Sequence, residues 1–344
     1  MSKFIQLHLL TSYAPSNLNR DDLGRPKTAK MGGFDRLRVS SQSLKRNWRV
    51  SELFEEAMSG EIGIRTKKLG EEVFNTLVAG GVKEKQATSW ASSIAGVFGK
   101  VKKDKPLEIE QLAHISTAEK EAVLALADLL CKEQREPTVD ELKLLKADRT
   151  SVDIALFGRM LASSPEFNVE AACQVAHSIS VHKVLVEDDY FTAVDDLNDG
   201  KTDTGSAHIG EANFAAALFY SYICINKSQL IENLGGNEAL ADSAIKALTE
   251  AAVKVSPKGK QNSFASRAYA SYVMAEVGEQ QPRSLSVAYL RPVHDDMADA
   301  AITAIEKQAA NFDAVYGKCA DARYTINAVK GEGTLIELLE FVAK

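Results

Sequence analysis

From about residue 60 to residue 148 the chain is rich in Lys, Glu, Leu and Ala with helical periodicity, while strand-like patterns occupy both flanks. That order implies a sheet interrupted by a long helical insertion. Ahead of the insertion, Ile5, Leu7 and Leu9 alternate with Gln6 and His8, the pattern of a half-buried strand, and Pro15, Asn17 and Asn19 mark its end. A short strand over 36–39 then runs into SSQSLKRNWRVSELFEEAM, in which Leu44, Trp48, Leu53 and Ala57 share one helical face and Ser40, Ser41 or Ser43 could cap the start. Within the insertion, TAEKEAVLALADLLCKEQ and VDELKLLKAD read as helices. Beyond it, β-type patterns recur at VDIALFGRM, AACQVAHSISVHKVLV, LFYSYICIN, AYASYVMAEV, LSVAYL and ARYTINAV, interleaved with helices over 238–255, 295–316 and 335–342. Few strands with uneven connections favour an α+β sandwich of ferredoxin-like type over a doubly wound parallel sheet.

Charge is distributed unevenly. The chain's net charge is -6, yet residues 1–50 hold ten Lys and Arg against three Asp, so the remaining residues are strongly acidic. Concentrated positive charge suits a polyanion partner, and it equally fits a solvated basic loop. The four cysteines are widely spaced with no CxxC pair, which signals neither zinc nor a disulfide framework and leaves core packing as their expected role. No apolar run is long enough to span a bilayer and no apolar leader is visible, so a cytoplasmic address and no membrane partner are expected.

The segment Ser40 to Arg49 carries the most chemistry. A strand-to-helix junction exposes unpaired N–H groups at the positive end of the helix dipole, Ser40, Ser41, Gln42 and Ser43 add neutral donors, and Lys45, Arg46 and Arg49 add charge. Such a set would hold phosphates without reading bases, although a capped helix with a solvated basic face has the same residues. Residues 182–210 hold six carboxylates from Glu187 to Asp199 and fit a projecting hairpin with Tyr190 and Phe191 exposed or facing a partner. Two further basic sets stand out: Lys100, Lys102, Lys103 and Lys105 in GKVKKDK, suited to a non-specific hold on DNA or to a solvated run, and Lys258, Lys260 and Gln261 in a flexible loop. His177 and His182, five residues apart on a strand-like segment, fall on opposite faces and cannot cooperate as acid and base. No HxxxH or HExxH spacing points to a metal, and the GEG turn at 331–333 is too weak a phosphate signal to stand alone.

LNRDD at 18–22, GG at 32–33, SSQSLKR at 40–46, VDIAL-GRM at 152–160, FTAVDDL at 191–197, GSAHIG at 205–210 and INKSQLIENLGG at 225–236 closely resemble the CasC family, the repeated crRNA-binding backbone subunit of the type I-E CRISPR surveillance complex Cascade. The insertion and the last eighty or so residues match less clearly. The resemblance implies a ferredoxin-like (modified RRM) palm in three parts, 1–58, 151–181 and 211–344, with helical fingers at 59–150 and a thumb hairpin at 182–210. It implies a non-catalytic subunit that polymerises along guide RNA with other copies of itself and other Cascade subunits, meets target DNA through the guide, and needs no cofactor or metal. By the same analogy Arg20, Lys27, Ser40, Gln42, Ser43, Lys45, Arg46 and Arg49 hold the RNA backbone, Arg159 binds RNA, Met160 lies under bases as an apolar platform, and Lys258, Lys260 and Gln261 touch RNA. Tyr190, Phe191, Thr192 and His208 would wedge the guide–target duplex. Asp195, Asp196 and Asp199, repelled by phosphates, would meet a neighbouring copy's basic surface.

Overall fold

The computed structural model describes residues 3–146, 150–193, 196, 208–294 and 297–344. The strands are β1 (Phe4–Ser16), β2 (Thr28–Met31), β3 (Phe34–Val39), β4 (Ile64–Thr66), β5 (Ala113–Ile115), β6 (Cys173–Val175), β7 (Ser178–Ser180), β8 (Glu187–Ala193), β9 (His208–Asn226), β10 (Tyr272–Gly278) and β11 (Ala322–Asn327). The helices are α1 (Ser41–Arg49), α2 (Glu52–Ala57), α3 (Leu69–Ala79), α4 (Glu84–Gly96), α5 (Thr117–Glu133), α6 (Val152–Phe157), α7 (Lys227–Asn233), α8 (Glu238–Lys254), α9 (Gln261–Phe264), α10 (Met297–Tyr316) and α11 (Leu335–Ala343).

β1 sits inside a nine-stranded sheet of order β11-β10-β1-β9-β7-β3-β2, with β6 and β8 also paired to the long β9. The pairings are antiparallel, with Leu7 opposite Ile223 on one side and Ala275 on the other. Ile5, Leu7 and Leu9 face a core shared with Leu44 and Trp48 of α1, Phe54 of α2 and Ala244, Ile245 and Leu248 of α8. The other face of β1 is covered too, where Leu10 packs with Tyr289 and with Ile302 and Ile305 of α10. A separate core joins Val73, Leu77, Trp90, Ile94, Val123 and Leu130 of α3, α4 and α5, beside the two-stranded β4–β5 ribbon. The acidic stretch contains a strand pair: Glu187–Ala193 pairs with His208 to Phe214, and β8 is exposed along its whole length.

Several sequence expectations change. β1 is not half-buried; Gln6 and His8 are as enclosed as their apolar neighbours. VDIALFGRM was expected to be strand-like, but it holds α6, because Asp153 turns inward to accept from the Gly63 N–H, His114 Nε2 and Arg49 rather than facing solvent as alternation requires. LSVAYL becomes a short 3-10 turn over Ser286–Tyr289. VDELKLLKAD is non-helical over its described part, since Glu141 is taken by Arg135 and by Thr138. The helix expected across 40–58 breaks at Val50 and Ser51, where Ser51 caps α2. The cysteines are free, with Cys173 and Cys224 buried and Cys131 and Cys319 half-buried. Among the described residues no helix is long and apolar enough to cross a membrane.

The polar residues on the second face of β1 form one network. His8 Nε2 lies 3.3 Å from Glu276, its Nδ1 accepts from the Tyr220 hydroxyl at 2.9 Å, and Glu276 also receives Arg283 and Arg323. Burial lowers the pKa of His8, and a neutral ring is what the charge count demands, because two guanidinium groups already face the one carboxylate. Burial alone would raise Glu276, but the His8 and Arg283 hydrogen bonds outweigh it and hold the carboxyl far below its ordinary value. A carboxyl depressed in the folded state contributes stability above its unfolded pKa and loses it as pH falls. Glu276→Ala should therefore cost about 3–5 kcal/mol in urea denaturation at neutral pH. In the parent chain, stability should decline as pH drops below the unfolded carboxylate value of 4.5.

Candidate nucleic-acid interface

Three segments meet where β1 ends, and asparagines join them. The Asn19 side chain accepts from the Ser40 N–H at 2.9 Å, while its carbonyl accepts from the Lys27 N–H at 2.8 Å. Asn17 donates to the carbonyls of Gly24 and Asn213, tying the loop to β9. Asn47 of α1 accepts from the Lys258 N–H at 3.1 Å and donates to the Ser43 carbonyl. Between the segments lies an open cleft of about 790 Å³, lined by Arg20, Ser40, Gln42, Ser43, Arg46 and Lys258 among others.

Ser40 is the N-cap of α1, its hydroxyl accepting from the Ser43 N–H. That leaves the Ser41 and Gln42 N–H groups without an internal partner, and α1 has no acidic residue in its first turn. Gln42 and Arg46, one turn apart, share the exposed face that lines the cleft. Arg20, Arg46 and Lys258 are exposed, and the structure gives none of them a carboxylate partner. Asp21 and Asp22 also line the cleft, but Asp21 is engaged by the Leu23 and Arg25 N–H groups.

Other candidates are placed elsewhere. Lys45 projects from a different side of α1, with Nζ 5.8 Å from the centre of the Phe157 ring. Met160 is 83% exposed. Arg49 is paired with the buried Asp153 at 3.2 Å, so its charge serves the palm interior. Arg159 departs furthest from expectation: it is buried, bonded to Glu119 at 2.7 Å and to the Phe167 carbonyl, and presents no charge to a surface ligand. Lys258, Lys260 and Gln261 were expected in a flexible loop, yet Gln261 donates to the Pro257 and Ser266 carbonyls and opens α9, so its amide builds the loop. In the insertion, Lys100 pairs with Glu110, and Lys102 and Lys105 with Glu108, which leaves Lys103 as the lysine of that set without a carboxylate partner. The GEG turn offers no anion site, because Glu337 fills the α11 start through Thr334.

On β8, Tyr190 and Phe191 are 62% and 44% exposed, Phe191 lies across from Gly210 of β9, and Thr192 is exposed beside them. His208 begins β9; its side chain, with Asp195 and Asp199, lies outside the described residues, while Asp196 is exposed. His177 and His182 are separately engaged: His182 Nε2 accepts from the Leu218 N–H, and His177 Nδ1 accepts from Arg38 at 2.8 Å. Arg38 carries no signal in the sequence, because two alternating arginines in a short strand make no motif and only the fold shows that Arg36 is buried and Arg38 is not. Gly259 shows how closely the cleft walls approach. A Cβ there would fall 2.2 Å from the Leu18 carbonyl oxygen. Gly259→Ala should destabilise the chain by about 1–3 kcal/mol in urea denaturation.

Residues 5–339 match the family model described as CT1975-like protein. Among solved structures, a chain of a "CRISPR RNA-guided surveillance complex, pre-nicking" aligns with a TM-score of 0.85 at 29% identity, covering 99% of both chains. A chain of a second "CRISPR RNA-guided surveillance complex" aligns with a TM-score of 0.75 at 23% identity, again over 99% of both, and shares the fold. No curated protein matches the sequence. With its mixed α+β sheet, its motifs and a family match spanning nearly its whole length, the chain belongs to the CT1975-like family and is a CasC-like subunit of the Cascade kind.

Proposed function

We propose that this chain is a backbone subunit of a type I-E surveillance complex, gripping the sugar–phosphate strand of a guide RNA in the cleft at the start of α1. The observation that carries the reading is the convergence of Arg20, Arg46 and Lys258 with Gln42, whose N–H is free, around one open groove. Phosphate contacts of this kind position a strand without reading bases, which suits a subunit whose guide supplies sequence by pairing. The strand order β10-β1-β9-β7, with helices between β1 and β7 and between β9 and β10, supports a ferredoxin-like palm. The helices around α3–α5 act as fingers and the β8–β9 hairpin as a thumb.

On this reading copies of the chain line up along the guide, with other subunits capping the array, and the guide pairs with target DNA. Met160 supplies an unbranched apolar platform for bases. Tyr190, Phe191 and Thr192 at the exposed hairpin, with His208, wedge the duplex, and Lys103 is the residue of its cluster best placed to hold DNA. The complex works in the cytoplasm. The chain performs no catalysis itself: His8, His114, His177 and His182 are held in hydrogen bonds within the fold rather than paired around a scissile position.

The test uses full-length protein and single-stranded RNA. Replacing Arg20, Arg46 and Lys258 together with alanine should reduce the slope of log affinity against log salt by about two, near 0.7 per lost phosphate contact. Gly259→Ala should weaken binding with every charge in place. An unchanged slope and affinity in the triple variant would sink the proposal. Incubation with repeat RNA should protect it without creating new ends, and a single defined cut would mark an enzyme instead.

A further inference from the structure

Arg36 and Arg38 of β3 point to the face of the sheet opposite Leu37 and Val39, which enter the helix-covered core. Arg36 is consumed there, donating to the carbonyls of Ser180 and Tyr289. Arg38 is different. Its backbone N–H donates to the Lys27 carbonyl, which sets the two residues opposite each other on neighbouring segments, and its guanidinium reaches His177 Nδ1 at 2.8 Å. All three side chains are at least partly open to solvent, and the structure pairs none of them with a carboxylate. The charges bearing on His177 are Arg38 on β3 and Lys27 ahead of β2, both positive. On β9, the Tyr222 carbonyl accepts from the Ala176 N–H beside His177, and the Tyr222 hydroxyl donates to Gln6.

Three basic groups held together without an anion repel one another, and a bound anion relieves that repulsion. Resting on the guide-RNA reading above, we propose that Lys27, Arg38 and His177 form a second phosphate subsite, which continues the RNA path past Asn19 to the partly solvent-open Arg38 end of β3. An arginine can only donate, so in the free protein His177 Nδ1 must be unprotonated. Lost hydration against the sheet, then the Arg38 and Lys27 charges, hold its pKa below the ordinary histidine value. A phosphate reverses the balance of charge. Binding then draws one proton from solvent onto Nδ1, which breaks the Arg38 contact at that nitrogen and frees both side chains to donate to the phosphate oxygens.

The experiment is fluorescence anisotropy of the full-length chain with single-stranded oligo(U), whose bases do not titrate in the range, from about pH 8 to about pH 5.5 at constant ionic strength. The parent should bind more tightly as pH falls, by at most about tenfold per pH unit for one proton. His177→Gln should abolish that rise. Arg38→Gln should lower affinity on the order of tenfold and the salt slope by about 0.7. Parent-like affinity, slope and pH trend in both variants would overturn the subsite. The Arg20, Arg46 and Lys258 triple variant separates the two ideas: if it alone loses affinity, the subsite fails and the cleft reading stands. If only Arg38→Gln and His177→Gln lose it, the subsite stands and the cleft reading falls.

Discussion

β1 is hydrogen-bonded along both edges and covered on both faces, and the cleft hangs from its end. Its partners β9 and β10 hold it in register from Phe4 onward, so the point at which the chain leaves the sheet, near Ser16, is set by the core. Three asparagines then carry that rigidity outward. Asn17 fastens the loop to β9, Asn19 fastens it to the start of α1, and Asn47 fastens α1 to the 258 loop. Each amide satisfies backbone groups that would otherwise need water, so the walls of the cleft stand in a fixed relation before any ligand arrives.

Positive charge is sorted between fold and surface. The basic N-terminal segment looks uniform as a count, yet Arg36 is fully buried among carbonyls and Arg49 serves Asp153. Further along the chain Arg159 holds Glu119, and Arg283 and Arg323 hold the buried Glu276. What remains for a polyanion is a smaller group around the α1 start, with Arg20, Arg46 and Lys258 on one side and Lys27 and Arg38 on the other. At the base of the acidic hairpin Arg25 makes an exposed contact with Asp188, which solvent screens.

Much of this was legible in sequence where local chemistry decides the outcome. The alternation at Ile5, Leu7 and Leu9, the cap at Ser40, the hairpin in the acidic stretch and the long helices α8 and α10 all follow from short-range pattern. The misreadings of Asp153, Gln6, His8 and Arg159 share one cause: a partner distant in the chain. Asp153 made VDIAL look like a strand with one solvent-facing acid, but its ligands come from Gly63, His114 and Arg49. Gln6 and His8 read as solvent-facing because their partners lie far along the chain: Tyr222 and Arg283 donate to Gln6, while Glu276 and Tyr220 engage His8. Arg159 offered a free cation only while Glu119 was out of sight. Lys102 and Lys105 likewise lost their apparent freedom to Glu108, just beyond the stretch first read as basic.

The most direct measurement is photo-crosslinking of the full-length chain to single-stranded RNA carrying 4-thiouridine, with the attached peptides identified by mass spectrometry. Crosslinks should concentrate in the segments around Arg20, around Ser40 to Arg46 and around Lys258. Crosslinks confined to the 100–105 loop or to other surfaces of the helical unit, with those three segments untouched, would contradict the account.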